Sequence, residues 1–262
     1  MPEFSAHAPG TFCWPELSTT DQKGAVTFYR ALFGWDVEDQ PIGPTETYSM
    51  FKKGGKYVGA AYTQRPEEKG IPPHWGSYVT VASADEAVKR AQSLGANVFA
   101  PPFDVMESGR MAVLQDPTGA VFHVWQANKH IGAEVLGEPG TLCWTELATR
   151  DMKAAEQFYA SLFGWTLKRS KGGADGAMEY TELANNGTQM GGIMPISPQM
   201  GDMPPVWTPY FMTSDVDATA SKAKELGARI HMGPTDIPNV GRFAVVGDPQ
   251  GGTFNIFKRA SG

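Results

Sequence analysis

The sequence predicts an α+β protein built by tandem duplication, with paired β-α-β-β-β modules forming a mixed sheet in each half. Three observations carry this. TFCWPELSTTDQKGAVTFYRALFGWDV, from Thr11, returns as TLCWTELATRDMKAAEQFYASLFGWTL, from Thr141, with 15 of 27 positions identical at an offset of 130. Later matches hold register at an offset of 132: PPHWGSY with PPVWTPY, SLGA with ELGA, and SGRMAVLQDPTGAVFHVW with VGRFAVVGDPQGGTFNIF. Chance does not keep register over so long a stretch. Finally, each copy switches between helical and strand periodicity in the same order. The seam falls near Lys129–Pro139, where glycines and a proline interrupt the pattern, and divides the chain into domains 1–132 and 133–262.

Each element of the first copy has a local reason. Residues 12–18 read as a strand. Over 22–33 the apolar positions Ala25, Phe28, Tyr29, Leu32 and Phe33 share one helical stripe, which Asp21 opens as N-cap and Gly34 closes. This phenyl-rich stripe reads as core. Short strands follow at 35–40, 47–51, 56–62 and 76–82. A second helix over 84–94 ends at Gly95, and strands at 96–99, 110–114 and 120–126 finish the unit. Asp116-Pro117-Thr118-Gly119 and Asp248-Pro249-Gln250-Gly251 are turns between the last two strands of each copy. Helices alternating with hairpin-connected strands cover one sheet face, so the other must be closed or line a hollow.

Composition narrows the function classes. The chain has 262 residues, enough for two cores, and 41% hydrophobic content with 19% charged residues reads as globular. The net charge of −6 and the lack of a basic run argue against nucleic acid as a partner. No stretch of about 18 apolar residues is present for a membrane span, and MPEFSAHAPG lacks the pattern of a signal peptide. A cytoplasmic monomer or homodimer is expected. Cys13 and Cys143 occupy equivalent strand positions and read as small apolar side chains, with a disulfide or reactive thiol as the alternative. There is no phosphate-loop frame, no nucleophile elbow and no metal-spaced cysteine set.

The candidate site residues come from strand alternation. Period 2 puts Phe12, Trp14, Glu16 and Ser18 on one face, and Leu142, Trp144, Glu146 and Ala148 on the matching one. A tryptophan beside a glutamate is unusual for a dry core, because an unpartnered buried carboxylate is expensive. Two readings stand. In one, the face walls a cavity, Trp14 and Trp144 stack on a planar ligand, and Glu16 and Glu146 accept a hydrogen bond or a proton. In the other, the pair is structural and a nearby arginine or tyrosine hydroxyl holds the glutamate. His123 lies with Val121 and Trp125 on one face of the last strand, and Asn255 takes its place in the second copy. His123 and Glu16 can form an acid–base pair if both enter one cup; Asn255 cannot titrate, so the two cups differ. Arg110 and Arg242 open equivalent strands, either to meet an anionic ligand or to pair with carboxylates across the sheet. Trp75 and Trp207 follow twin prolines and either clamp a ligand or pack over the seam.

Asp21, Phe28-Tyr29, Leu32-Phe33-Gly34-Trp35, Gly95 and Asp116-Pro117-x-Gly119, with their repeats at Asp151, Phe158-Tyr159, Leu162-Phe163-Gly164-Trp165, Gly227 and Asp248-Pro249-x-Gly251, resemble the vicinal oxygen chelate superfamily. This is the fold of glyoxalases, bleomycin-resistance proteins and extradiol dioxygenases. The resemblance covers nearly the whole chain and is most similar to two-domain bacterial glyoxalase-like proteins. It implies two cups. It also implies metal-ligand positions, which here hold Trp14, a residue near Gly76, and His123, and in the second copy Trp144, a residue near Thr208, and Asn255. Tryptophan and glycine side chains do not ligate metals, and one imidazole is not a site. No metal or other cofactor is therefore expected. The expected function is binding of a small, partly aromatic or carbonyl-containing molecule in a cup. The alternative is a lyase, isomerase or dioxygenase-type enzyme using Glu16 or His123 as proton acceptor.

Overall fold

The computed structural model describes residues 3–173 and 176–260. The first half runs β1 (Phe12–Thr19), α1 (Gln22–Phe33), β2 (Asp36–Pro41), β3 (Thr47–Lys53), β4 (Lys56–Thr63), β5 (His74–Thr80), α2 (Ala84–Ser93), β6 (Asn97–Val105), β7 (Gly109–Gln115) and β8 (Val121–Ala127). The second runs β9 (Leu142–Thr149), α3 (Met152–Phe163), β10 (Thr166–Gly172), β11 (Met178–Asn185), β12 (Thr188–Pro195), β13 (Val206–Met212), α4 (Val216–Glu225), β14 (Arg229–Ile237), β15 (Gly241–Gly247) and β16 (Thr253–Arg259). Two eight-stranded mixed sheets result, ordered β2-β3-β4-β1-β5-β8-β7-β6 and β10-β11-β12-β9-β13-β16-β15-β14. The tandem α+β architecture is therefore present, with each half made of two β-α-β-β-β modules joined through the central pairs β1–β5 and β9–β13.

The first helix starts and stops where its caps dictate. The Asp21 carboxylate accepts the Gly24 amide, and Gly34 closes α1 in the left-handed region at φ 70°. Asp151 and Gly164 repeat this around α3. Strands β6 and β14 run longer than sequence periodicity predicts, through Pro101-Pro102 and Pro234. Both are edge strands, where a proline has an unpaired side to present, and register shifts absorb the irregularity.

The helix-bearing faces of the two sheets pack crosswise. One core joins Val79, Val88, Leu114 and Phe122 of the first half to Leu147, Phe158, Tyr159 and Trp207 of the second. Another joins Leu17, Phe28, Tyr29 and Trp75 to Phe211, Val216, Val246 and Phe254. Trp75 and Trp207 thus lie in the seam. Hydrogen bonds fix the packing in symmetric pairs. Tyr29 donates to Asp248 Oδ2 and Tyr159 to Asp116 Oδ2, each at 2.8 Å. Trp75 and Trp207 donate to those same tyrosine oxygens, at 3.0 and 2.8 Å. Trp35 donates to Gly140 O and Trp165 to Gly10 O. The Asp-Pro turn of one half is therefore a socket for the helix of the other.

Both opening strands depart from simple alternation: the β9–β13 pairing shifts register between Trp144 and Leu142, and Leu142 turns into the crosswise core, away from the face of Trp144 and Glu146. The β1–β5 register shifts between Phe12 and Trp14. Phe12 consequently turns away from Trp14 and packs on Trp165 and Trp207, with ring centroids 5.2 and 5.1 Å away. Trp14 belongs instead to a separate cluster with Met50, Ala60, Tyr78 and Trp125. A bulge breaks the period-2 rule at this point and moves Phe12 to the opposite face.

Candidate functional site

At the centre of the first sheet, β1 places Glu16 beside Gly76 of β5 and Ala60 of β4. Tyr48 of β3 donates to Glu16 Oε1 and Tyr78 of β5 to Glu16 Oε2, both at 2.6 Å, and Trp14 Nε1 donates to the Tyr48 hydroxyl at 3.0 Å. The second sheet repeats the set. Tyr180 and Tyr210 donate to Glu146 at 2.8 and 2.7 Å, and Trp144 Nε1 donates to Tyr180 at 2.9 Å. Both glutamates are half-buried. The structure thus supplies the tyrosine holders foreseen as one alternative, on a face that also retains solvent contact.

The electrostatics follow from depth. Loss of hydration raises the Glu16 and Glu146 pKa values, and the two tyrosine hydrogen bonds on each only partly oppose it. Burial beside the same carboxylates raises Tyr48, Tyr78, Tyr180 and Tyr210 well above the ordinary phenol value. The centre of each sheet therefore holds a carboxyl group with a raised pKa, fixed between two phenols.

A stability profile tests the sign of this shift. A carboxyl whose folded pKa exceeds its unfolded value adds stability that is complete below the unfolded pKa, here 4.5, and is lost as pH rises through the folded pKa. Glu146→Gln removes that loss. The melting temperature of Glu146→Gln relative to wild type is expected to climb from pH 4 to pH 8, read by calorimetry. A difference that is flat or falls across that range would show that the carboxyl is not raised.

The other predicted residues distribute unevenly. His123 stacks on Tyr78, with centroids 4.3 Å apart and planes at 10°, and its ring fills the space a Gly76 side chain would need: a Cβ there would lie 2.7 Å from His123 Cε1. Its Nδ1 is buried without a partner, and desolvation lowers its pKa to about 4. His123 and Glu16 thus meet the same tyrosine from different sides, one by stacking and one through the hydroxyl. Asn255 is 4% exposed and its Oδ1 also lacks a partner. Trp125 is buried and donates to His130 O at 2.8 Å. Arg110 forms ion pairs with Asp85 and Asp104, and Arg242 with Asp217 and Asp236, at 2.7–3.0 Å. Each guanidinium thus pairs with one carboxylate on the neighbouring strand, Asp104 or Asp236, as in the structural alternative, and with one in the first turn of a helix, Asp85 or Asp217. Both cysteines are free, and burial pushes each thiol up to about 12, as for apolar packing.

The four tyrosines were missed by sequence reasoning, although the signal was present: Tyr48 and Tyr180, like Tyr78 and Tyr210, occupy equivalent repeat positions. His130 was missed too. Surface grooves lie by the C-terminal end of α1 and between α4 and β14, on the helical side. Neither reaches the glutamates, so the convergence of polar groups defines the site better than groove depth does.

The described fold with its paired modules is a glyoxalase-type architecture, and comparison places the chain within it. The family described as the Glyoxalase/Bleomycin resistance protein/Dioxygenase superfamily matches twice, over residues 12–124 and 130–256, and the chain belongs to this family. CFP32 of Mycobacterium tuberculosis, whose name assigns it provisionally to the glyoxylases, is 41% identical over 262 residues, covering 99% of both chains. The anthracycline biosynthesis protein DnrV of Streptomyces peucetius is 34% identical over 272 residues, covering 97% of this chain and 95% of its own. Among solved structures, a Mn(II)-bound glyoxalase from Novosphingobium aromaticivorans aligns with a TM-score of 0.68 at 15% identity, covering 96% of this chain and 83% of that one. The 2,3-dioxygenase LapB of Pseudomonas sp. KL28 aligns at 0.68 and 12% identity, covering 98% and 96%. At such identities these two report the shared fold. No helix among the described residues is long and apolar enough to cross a membrane.

Proposed function

We propose that this chain is a binding member of the family that takes a small, planar, partly aromatic or carbonyl-containing molecule in a cup, without the family's metal set. The observation that carries this is the Trp–Tyr–Glu–Tyr hydrogen-bond set at the centre of both sheets. It presents an indole, two phenols and one protonatable carboxyl, the mixture of apolar wall and few polar groups that orients a small organic ligand. A family-type metal does not fit these residues. The ligand positions hold Trp14, Gly76 and His123, or Trp144, Thr208 and Asn255, and each glutamate oxygen already accepts a phenol. Among the described residues no three His, Cys, Asp or Glu side chains group closely enough to hold an ion. The name of the Streptomyces relative supports a polycyclic aromatic carbonyl compound as the ligand class.

The test is a titration with 2-hydroxyanthraquinone, whose hydroxyl lies away from its carbonyls so that it does not chelate metals. Saturable quenching of the intrinsic tryptophan fluorescence is expected, unchanged by prior dialysis against a chelator. Absence of saturation, or loss of binding after chelation that added metal restores, would contradict the proposal.

A second reading is supported by the raised glutamate pKa: metal-independent proton transfer to or from a small carbonyl compound, with Glu16 or Glu146 moving the proton and the phenols steadying the developing charge. Deuterium uptake from solvent at the acidic carbon of an α-hydroxyketone, lost in Glu16→Gln or Glu146→Gln, would favour it over simple binding.

A further inference from the structure

The two cups share a centre but differ at the mouth. In the first, the linker after β8 folds back over β1. Ala133 N donates to Cys13 O at 2.7 Å and Glu134 N to Tyr57 O at 2.8 Å, and the Tyr57 amide donates back to the Glu134 carboxylate. This brings the His130 ring against Trp14, edge to face with centroids 4.6 Å apart, with Tyr57 at 5.9 Å and Trp125 at 6.1 Å. Trp14 is left 5% exposed and Cys13 fully buried, within an apolar cluster that includes Ala133 and Leu136. Gly132 makes the close approach possible: at φ +99° it lies where a Cβ would come 2.5 Å from Cys13 O.

In the second cup Trp144 and Cys143 remain partly exposed, and no corresponding cluster forms among the described residues. Among the described residues no ring packs on Trp144 as His130 packs on Trp14. The surroundings of Trp144 are also more accommodating. Where the first cup carries Ser18, Tyr62 and Glu68, bonded to one another, the second carries Ala148, Met194 and Met200. Methionines adapt to rings of different outline. Asn255 sits between Phe254 and Ile256, which face the crosswise core, so it faces into the cup, with Tyr210 as its neighbour on β13. Its buried, unpartnered Oδ1 is an acceptor lacking a donor.

We infer that the second cup is the ligand site of this chain and that the first is filled by its own His130. The ligand is a flat aromatic ring seated against Trp144 that carries a hydroxyl or N–H group donating to Asn255 Oδ1. His130 shows the ring's position: it is the chain's own occupant of the equivalent slot. The inference rests on the proposal that these cups bind organic molecules, and it assigns the stoichiometry at one per chain.

The experiment is equilibrium dialysis with 2-hydroxyanthraquinone on the full-length wild type and two variants that unseat the linker by different routes. His130→Ala removes the ring. Gly132→Ala keeps the ring but forces the linker off Cys13. One site per chain is expected for wild type and two for either folded variant, with folding checked by near-ultraviolet circular dichroism. Two sites in wild type would overturn the assignment, and one site persisting in both variants would overturn the role of His130 as the occupant of the first cup, each while leaving cup binding intact. Zero sites in wild type with one in the variants would place the competent cup in the first domain instead. No binding to any of the three would refute cup binding itself, and this inference with it.

Discussion

Asp116→Ala is expected to destabilise the protein by about 3 kcal/mol, because it leaves several buried donors without an acceptor at once. The Asp116 carboxylate accepts the Thr118 amide at 2.7 Å, the Thr118 hydroxyl at 2.8 Å and the Ala120 amide at 3.0 Å, and holds the Tyr159 hydroxyl of the other half. At roughly 2–4 °C per kcal/mol for a chain of this size, the melting temperature falls by about 6–12 °C. Tyr159→Phe removes less, roughly 1–2 kcal/mol, since the turn keeps its carboxylate and only Asp116 and the Trp207 indole lose a partner. In a double-mutant cycle the two losses are expected to be non-additive, because they share one bond. Additive losses, or an Asp116→Ala effect below about 0.5 kcal/mol, would mean that the turn aspartates do not bind the two halves together.

The second large effect concerns binding. Trp144→Ala is expected to weaken 2-hydroxyanthraquinone binding at least tenfold, since one flat stacking surface is worth about 1.4 kcal/mol or more. The same change at Trp14 is expected to leave the dissociation constant within about twofold, because His130 already covers that indole. The pair of variants separates position from composition: both remove one of the seven tryptophans, so lost brightness is matched and only the affinity differs. Weakening in Trp14→Ala alone would reverse the roles assigned to the two cups, and equal weakening in both would contradict the assignment.

The architecture was legible because the chain states it twice. Fifteen identities in the first 27 repeat positions, a capped helix opened by Asp21 and closed by Gly34, and alternation in the opening strand lead directly to two sheets with Trp and Glu on their inner faces. Alternation failed at Phe12 and at Leu142, where a bulge in each opening strand adds a residue that no composition rule announces. The tyrosines that hold Glu16 and Glu146 come from other strands, so their convergence depends on register between β1, β3 and β5, which one strand's pattern does not contain. The filled first cup was least legible. NKHIGAEVLGEPG has the composition of a linker, and its role comes from Gly132 permitting a tight approach that puts His130 on Trp14. The sequence comparison of His123 with Asn255 pointed to the first cup as the chemically richer one; linker closure makes the second the accessible one.

The central claim is that the second cup binds an organic ring and that neither glutamate holds a metal ion. A crystal of the protein soaked in both Mn(II) and 2-hydroxyanthraquinone, recorded at a wavelength where manganese scatters anomalously, tests it most directly. Planar density against Trp144, with a polar group within hydrogen-bonding reach of Asn255 Oδ1 and no anomalous peak near Glu16 or Glu146, is the predicted result. An anomalous peak coordinated by either glutamate, with the tyrosines displaced from it, would contradict the account.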